Sequence, residues 1–293
     1  MGNRQGKSTN RNGNNQKGNR LVLWTQLVTP GMDDAAVVAA ERVAGRAAAL
    51  GYNHLVQGYR RTDDARNKAV LALSKVARDD RDVLVMLDAD HMHPMDVIEQ
   101  LVAHDVGVVG AMYFRRGEPF DVCAFRRGPD VPQQEAPQGQ AGQAGSTSGL
   151  VAVGREETGL HKVAVVGTGA IAIQRWVFER LMEKGYGWPH FRYAYAEGSL
   201  DQPTEDMYFG AICEEAGIPH YVDCDLVTPH LRTLVIDRSY AVGWAEARDD
   251  EERAGGDGER AATPARTAKP GRARRAPTRD APTNIMAVEV EAC

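Results

Sequence analysis

Apolar and polar residues along positions 21–125 alternate between the spacing typical of strands and that typical of helices. Short apolar runs bounded by turn residues predict five strands, at residues 21–29, 54–59, 84–88, 106–114 and 120–125. Between the earlier strands, apolar residues recur at helical spacing after Asp or Thr, which commonly cap helices. Strands joined by helices pair in parallel, so the pattern favours a doubly wound α/β fold.

The second half of the chain continues this pattern after a break. Residues 163–173 predict another strand, which Gly167 and Gly169 interrupt. Glycines there would let a ligand approach the backbone closely, although a bulge or a tight bend explains them equally well. Helices are predicted at residues 34–50, 62–77, 97–102, 176–184 and 204–216.

Three segments lack the apolar residues that a core requires. Residues 1–20 are basic and rich in Asn and Gly, and residues 246–293 change from an acidic cluster to a basic stretch rich in Pro and Ala. We expect both tails to be disordered. Residues 127–157 are rich in Pro, Gln, Gly and Ser, which predicts a flexible insertion. Residues 21–245 are then the predicted single α/β domain.

Two aspartates, Asp88 and Asp90, follow directly after the third predicted strand. Open α/β sheets bind ligands at the carboxyl ends of their strands. Carboxylates there are suitable ligands for Mg²⁺ or Mn²⁺, which in turn can hold a nucleotide diphosphate. The competing interpretation is that the pair caps the helix beginning near Pro94.

The chain contains two further Asp-x-Asp pairs, so position must separate them. Asp80 and Asp82 lie in a charged turn before the third strand, and we expect a solvated loop there. Asp223 and Asp225 end a short apolar segment and come shortly before His230. The pair at 88 and 90 is therefore the preferred nucleotide-diphosphate site.

Composition narrows the choice of function class. The net charge of −5 does not indicate a nucleic-acid-binding domain, although basic stretches in both tails could contact polyanions. The four cysteines show no Cys-x-x-Cys spacing, which fits a reducing compartment and argues against structural zinc. The sequence shows neither a long apolar span nor a signal peptide, so we expect a cytoplasmic protein.

A series of short motifs occurs in a distinctive order. They are Ala-Arg-Asn at 65–67, Leu-Asp-Ala-Asp at 87–90, Val-Gly-Ala-Met-Tyr at 109–113, Gly-Thr-Gly at 167–169, Thr-Glu-Asp at 204–206, Ala-Gly-Ile at 216–218, Asp223, and Pro-His at 229–230. This order, across about residues 21–232, resembles the GT-A-fold glycosyltransferases of the family-2 and Anp1-like type, as found in bacteria and phages. The resemblance implies a mixed, mainly parallel sheet and a Mn²⁺- or Mg²⁺-dependent transfer of sugar from a UDP- or GDP-sugar donor.

The same resemblance implies a metal site. Asp90 matches the aspartate that binds the metal directly, and Asp88 matches the one that contacts ribose or metal. His230 resembles the late histidine that completes the site, and a neutral imidazole suits Mn²⁺. His91 and His93 have no counterpart, so we expect them to be loop or packing residues.

The resemblance also implies donor-binding residues. Arg66 and Asn67 match helix residues that contact the nucleotide, although a solvated helix face is the alternative for the arginine. Arg116 would neutralise the diphosphate leaving group. The other predicted donor-site residues are Thr29 and Pro30, which would border the base, Ala89, Gly167 and Gly169.

The resemblance also implies acceptor-site residues at the start of the last predicted helix and in the aromatic segment before it. Asp206 matches the acid that takes the acceptor's proton in inverting enzymes, with Glu205 orienting the acceptor. Trp188, His190 and Tyr193 would form the acceptor site, although such a cluster is equally typical of packing. Whether transfer inverts or retains the anomeric configuration stays open.

Several alternatives stay open at this stage. The acceptor is either a glycan or small sugar, or a hydroxymethylated DNA base if the protein is a phage-type enzyme. A protein of another class, a non-catalytic nucleotide-sugar-binding module, would keep the fold without transfer. A metal-dependent phosphohydrolase would need more clustered metal ligands than one pair and a distant histidine.

Overall fold

The computed structural model describes residues 20–27, 31–58, 60–117, 119–128, 149–193 and 203–233. The strands are β1 (Val22–Leu27), β2 (Asn53–His54), β3 (Val83–Asp88), β4 (Val108–Met112), β5 (Ala124–Arg127), β6 (Leu150–Ala152), β7 (Leu160–Val163), β8 (Val165–Val166), β9 (Ala170–Gln174) and β10 (His220–Val227). The helices are α1 (Asp34–Ala49), α2 (Thr62–Val76), α3 (Val97–Ala103), α4 (Arg175–Glu183) and α5 (Glu205–Glu215).

Seven strands form the main sheet, in the order β2-β1-β3-β9-β4-β10-β7. Strands β1, β2, β3, β4 and β10 run in one direction, whereas β9 and β7 are antiparallel to their neighbours. The predicted class, an α/β fold with a mixed, mainly parallel sheet flanked by helices, is confirmed. Strand and helix alternation alone indicated parallel pairing, from which β7 and β9 depart.

Strand β9 explains that difference, since it lies between β3 and β4 in the middle of the sheet. All five of its residues are buried, and it pairs antiparallel with both neighbours. A parallel strand would need a long crossover, usually a helix. The described residues between β4 and β9 form the short strands β5 to β8, and β9 runs opposite to both of its neighbours.

Helices cover both faces of the main sheet. Side chains of β3 alternate between the faces: Leu84 and Met86 pack with α2, α4 and α5, whereas Val83, Val85 and Leu87 pack with α1 and α3. Burial on both faces explains why this strand is a continuous apolar run. Its polar end at Asp88 is therefore the point where the chain leaves the core.

A second sheet consists of three short strands in the order β6-β5-β8. It includes parts of three segments whose predicted boundaries differ from those in the structure. The fifth predicted strand, at 120–125, occurs as β5 in this small sheet. The predicted strand at 163–173 is divided among β7, β8 and β9. The predicted insertion at 127–157 begins in β5 and ends after β6, and residues 129–148 between these strands lie outside the described part of the chain.

The two other Asp-x-Asp pairs support turns in the backbone. Asp82 is buried rather than solvated as expected, because it accepts hydrogen bonds from the backbone N–H groups of Leu21, Arg78 and Asp79 at 2.7–3.0 Å. Although burial alone would raise the pKa of Asp82, these bonds lower it below its ordinary value.

Asp223 has a similar supporting role at an irregularity of β10. It accepts hydrogen bonds from the N–H groups of Asp225 and Leu226 and lies 2.8 Å from His104 Nε2. Its carboxylate therefore stabilises the strand that leads to His230.

Among the described helices, none has the length and apolar character that crossing a membrane requires.

Candidate metal and transfer site

The candidate site is formed where the chain leaves β3 and β10. Backbone hydrogen bonds join the two exits: Met92 N donates to Pro229 O at 2.9 Å, and Leu231 N donates to Asp90 O at 2.8 Å. His91 and His230 form an isolated antiparallel bridge between the same segments. This short ribbon brings together side chains that are about 140 positions apart in the sequence.

Asp90 lies at the centre of the site and is partly open to solvent, with 36% of its side chain exposed. Its Oδ1 is 3.0 Å from His91 Nδ1, and its Oδ2 is 3.2 Å from His230 Nε2. Arg116 Nη1 is 3.1 Å from the same Oδ2. Burial alone would raise the pKa of Asp90, but the two imidazoles lower it below its ordinary value, which keeps the carboxylate ionised.

His230 has the arrangement of a metal ligand with a fixed tautomer. Its Nδ1 lies 2.9 Å from Phe114 O, to which it can only donate a proton. In the neutral ring the lone pair is then on Nε2, which faces the carboxylate of Asp90. A lone pair facing a carboxylate requires a positive charge between them, which either a proton on Nε2 or a divalent cation would supply; the proton is the form that lowers the pKa of Asp90. A backbone carbonyl behind a histidine is typical of metal sites.

The residues present therefore fit a divalent cation. The potential ligand atoms of Asp90, His91 and His230 all lie within 4.8 Å of one another. The predicted ligands Asp90 and His230 come together, whereas Asp88 points to a different partner. His91, expected to be a packing residue, belongs to the cluster, and its position directly after the Asp-x-Asp motif was the available signal.

Asp88 is held by a buried arginine. Arg66 is only 1% exposed, and its Nη2 lies 2.9 and 3.1 Å from the two carboxylate oxygens of Asp88. The same guanidinium contacts Glu205 at 3.3 Å and donates to Thr168 O at 3.2 Å. Burial alone would lower the pKa of Arg66, but the carboxylates raise it above its ordinary value. The alternative of a solvated helix face is therefore wrong for Arg66, and its donors are used within the protein.

Asn67 is also used within the protein. Its amide nitrogen donates to Asp63 O at 2.9 Å and to Phe191 O at 2.6 Å, and its amide oxygen accepts from the backbone N–H groups of His190 and Phe191. These four bonds use the full capacity of one amide. Asn67 therefore fixes the backbone at residues 190–191, and its predicted nucleotide contact would require one of these bonds to break.

Glu205 and Asp206 begin helix α5 beside Arg66. Asp206 Oδ1 accepts hydrogen bonds from the hydroxyl of Thr204 and, at 2.8 Å, from Met207 N. Burial, followed by the neighbouring charge of Glu205, raises the pKa of Asp206 above its ordinary value. A carboxylate with a raised pKa is a better proton acceptor, which suits the role predicted for it.

The three predicted acceptor residues lie in different environments. Trp188 is exposed, whereas His190 is buried with its ring 5.3 Å from that of Phe178. Burial lowers the pKa of His190 to about 4, so this ring is neutral at pH 7. Tyr193 lies near Glu205, and burial together with that carboxylate raises its pKa to about 12. Of the three residues, only His190 is fully buried, and an acceptor site at Trp188 and Tyr193 stays a prediction.

The glycines at 167 and 169 admit side chains of the protein itself. A Cβ at Gly169 would lie 2.8 Å from His91 Nε2, and one at Gly167 would collide with the hydroxyl of Tyr113. The rings of Tyr113 and His91 thus pack so close to the backbone that these positions have no room for a side chain. Ala89 is buried between the two aspartates, and the predicted base-binding residues Thr29 and Pro30 lie outside the described residues.

Comparison with known proteins adds little to this geometry. No protein-family model matches the chain, and no curated protein matches it. A crystal structure of 4-diphosphocytidyl-2C-methyl-D-erythritol synthase aligns over 76% of this chain and 98% of that chain, with 11% identity and a TM-score of 0.32. A likeness this weak carries no inference about function.

Proposed function

We propose that the protein is a metal-dependent glycosyltransferase that moves a sugar from a nucleotide-diphosphate sugar to a hydroxyl acceptor. The observation that carries the proposal is the contact of 3.2 Å between Asp90 Oδ2 and His230 Nε2, with Phe114 O behind the histidine. Oxygen and imidazole nitrogen together suit Mn²⁺, while Mg²⁺ prefers oxygen alone.

Arg116 extends this site toward a diphosphate. It is more than half exposed, and it reaches Asp90 from the segment that follows β4. A guanidinium can bind two phosphate oxygens at once, so Arg116 is suited to neutralise the charge that develops on a departing nucleoside diphosphate. A divalent cation held by Asp90 and His230 would stabilise the same charge.

Asp206 is the proposed general base. Its raised pKa and its position on the first turn of α5 suit it to accept the proton of an acceptor hydroxyl. Glu205, beside Arg66 and Tyr193, would orient the acceptor. The exposed indole of Trp188 offers an apolar face on which a sugar ring could stack.

The direct test is to screen nucleotide sugars for Mn²⁺-dependent release of UDP, GDP or TDP by the full chain. We expect Asp206→Asn to bind donor normally while turnover falls by about 10²–10⁴-fold, the usual contribution of a general base. Asp90→Asn should lose Mn²⁺-dependent release. Asp34→Asn, the same change on the exposed first turn of α1, is the matched control and should behave as wild type.

Two outcomes would contradict the proposal in different ways. Near-full transfer by Asp206→Asn would exclude this residue as the base. Mn²⁺-dependent nucleotide binding with no release from any donor would instead identify a nucleotide-sugar-binding module.

A further inference from the structure

His91 is the member of the cluster that the proposed transfer site does not yet use. Its ring is buried, lies between His93 and His230 with centroid distances of 5.5 and 4.2 Å, and meets the edge of Tyr113 at 4.8 Å. The three imidazoles are nearly parallel, at 13° between successive planes. His91 is therefore held by contacts on several sides beside the carboxylate of Asp90.

The stacking restricts what His91 can bind. An imidazole binds a metal through a lone pair that lies in the plane of its ring. The planes of His91 and His230 are nearly parallel with centroids 4.2 Å apart, so lone pairs that lie in these planes do not converge on one ion. Since Phe114 O directs the lone pair of His230 Nε2 toward Asp90, His230 is the ligand of the two.

The remaining contacts of His91 indicate its protonation. Its Nδ1 lies 3.0 Å from Asp90 Oδ1, where a proton on the ring nitrogen makes a hydrogen bond and a lone pair would face another acceptor. Its Nε2 is buried without a hydrogen-bond partner among the described residues, close to where Gly169 leaves space. A proton there would be an unpaired buried donor, so a neutral ring protonated on Nδ1 fits both nitrogens.

We propose that His91 is a positioning residue for the metal site and not a ligand. Its Nδ1–H donates to Asp90 Oδ1 and thereby holds Oδ2 toward His230 Nε2, where the cation binds. This inference rests on the proposed metal site and assigns the residue that orients its carboxylate. Groups that orient a ligand in this way commonly change metal affinity by about 10–100-fold when they are removed.

Mn²⁺ binding by the full chain, measured by calorimetry without nucleotide, tests the proposal independently of sugar transfer. We expect His91→Phe, which keeps an aromatic ring in the stack, to weaken binding by about 10–100-fold. His91→Asn places an amide N–H near the position of Nδ1 and should recover most of the affinity. A role in packing alone predicts the reverse order, because Phe fills the space better than Asn.

His93→Phe is the matched control. His93 is also buried in the stack, but its Nε2 contacts the backbone oxygen of Asp88 rather than Asp90. Its replacement should leave Mn²⁺ affinity unchanged. Circular dichroism of each variant verifies folding.

Nitrogen NMR of the wild-type protein provides a test without substitution. Titration with Cd²⁺ should shift Nε2 of His230 strongly, while His91 keeps the spectrum of a ring protonated on Nδ1. Direct coupling of cadmium to a nitrogen of His91, or unchanged Mn²⁺ binding by His91→Phe, would overturn the positioning role alone. Wild-type protein that binds neither ion would overturn the proposed metal site, and the positioning role with it.

Discussion

Asp88 and Asp90 are one residue apart, yet they belong to two different electrostatic environments. Asp88 faces the interior and forms an ion pair with the buried guanidinium of Arg66. Asp90 faces outward, between two imidazoles and the more exposed Arg116. One carboxylate therefore has a buried arginine as its partner, and the other has two imidazoles and an arginine that is more than half exposed.

The difference follows from where the strand ends. Asp88 is the last residue of β3 and remains paired in the sheet, whereas Asp90 lies in the turn beyond it. A buried ion pair fixes geometry, and its disruption leaves a charge without a partner. A partly open carboxylate can exchange one cation for another. The two aspartates of the motif thus differ in partner and exposure, and we expect ligand exchange at the second.

The largest effect should come from removing the buried arginine. Arg66→Met leaves the buried carboxylates of Asp88 and Glu205 without their partner and should lower the free energy of unfolding by about 3–5 kcal/mol. Arg116→Met removes an arginine of similar size from a more exposed pair and should cost about 1 kcal/mol or less. Denaturant unfolding without metal measures both, and equal losses would remove the contrast.

The next effect concerns stabilisation by metal. At a Mn²⁺ concentration of about 100 times Kd, binding should raise the free energy of unfolding of wild type by about 2.7 kcal/mol. We expect Asp90→Asn to lose this increment and Asp88→Asn to retain most of it. Thermal or denaturant unfolding with and without Mn²⁺ provides the measurement. Loss of the increment in Asp88→Asn would show that both carboxylates bind the ion.

The smallest expected effect concerns His220, which serves as the reference because no carboxylate is hydrogen-bonded to its ring among the described residues. His220 is buried with neither ring nitrogen bonded among the described residues, and burial lowers its pKa to about 4 from 6.5. Because the folded state disfavours the charged ring, the stability that the neutral ring provides is present above pH 6.5 and decreases as pH falls toward 4.

His220→Phe should remove this contribution while keeping the stack on Phe209. Between pH 7 and pH 5, wild type should lose about 2 kcal/mol relative to the variant. Urea unfolding at several pH values measures the difference. A constant difference across this range would mean that the His220 ring titrates as it does in water.

The sequence carried enough information for the elements that lead into the site. The apolar run of β3 and the Asp33 cap of α1, where Asp33 Oδ1 accepts from Ala35 N at 2.9 Å, agree with prediction. Such features depend on neighbours in the chain. The contact of Asp90 with His230 was instead predicted from the order of the motifs along the chain. Metal binding at this contact stays a prediction.

Features that depend on tertiary packing were not predicted. Strand β9 pairs antiparallel with β3 and β4, and its own apolar sequence does not encode that direction. Arg66 shares a helix face with the buried Ala69, Val70 and Leu73. A cation on an apolar face was a signal of burial, but its two acidic partners lie 22 and 139 positions away.

The pairing of β10 with β4 has a consequence for how the site is assembled. His230 follows β10, so the bridge between His91 and His230 closes only when this late strand has joined the sheet. Contacts between residues so distant in the chain form slowly, because a long loop must first be ordered. Metal binding would thus mark the completed fold, and a chain that ends before β10 would have Asp90 but no site.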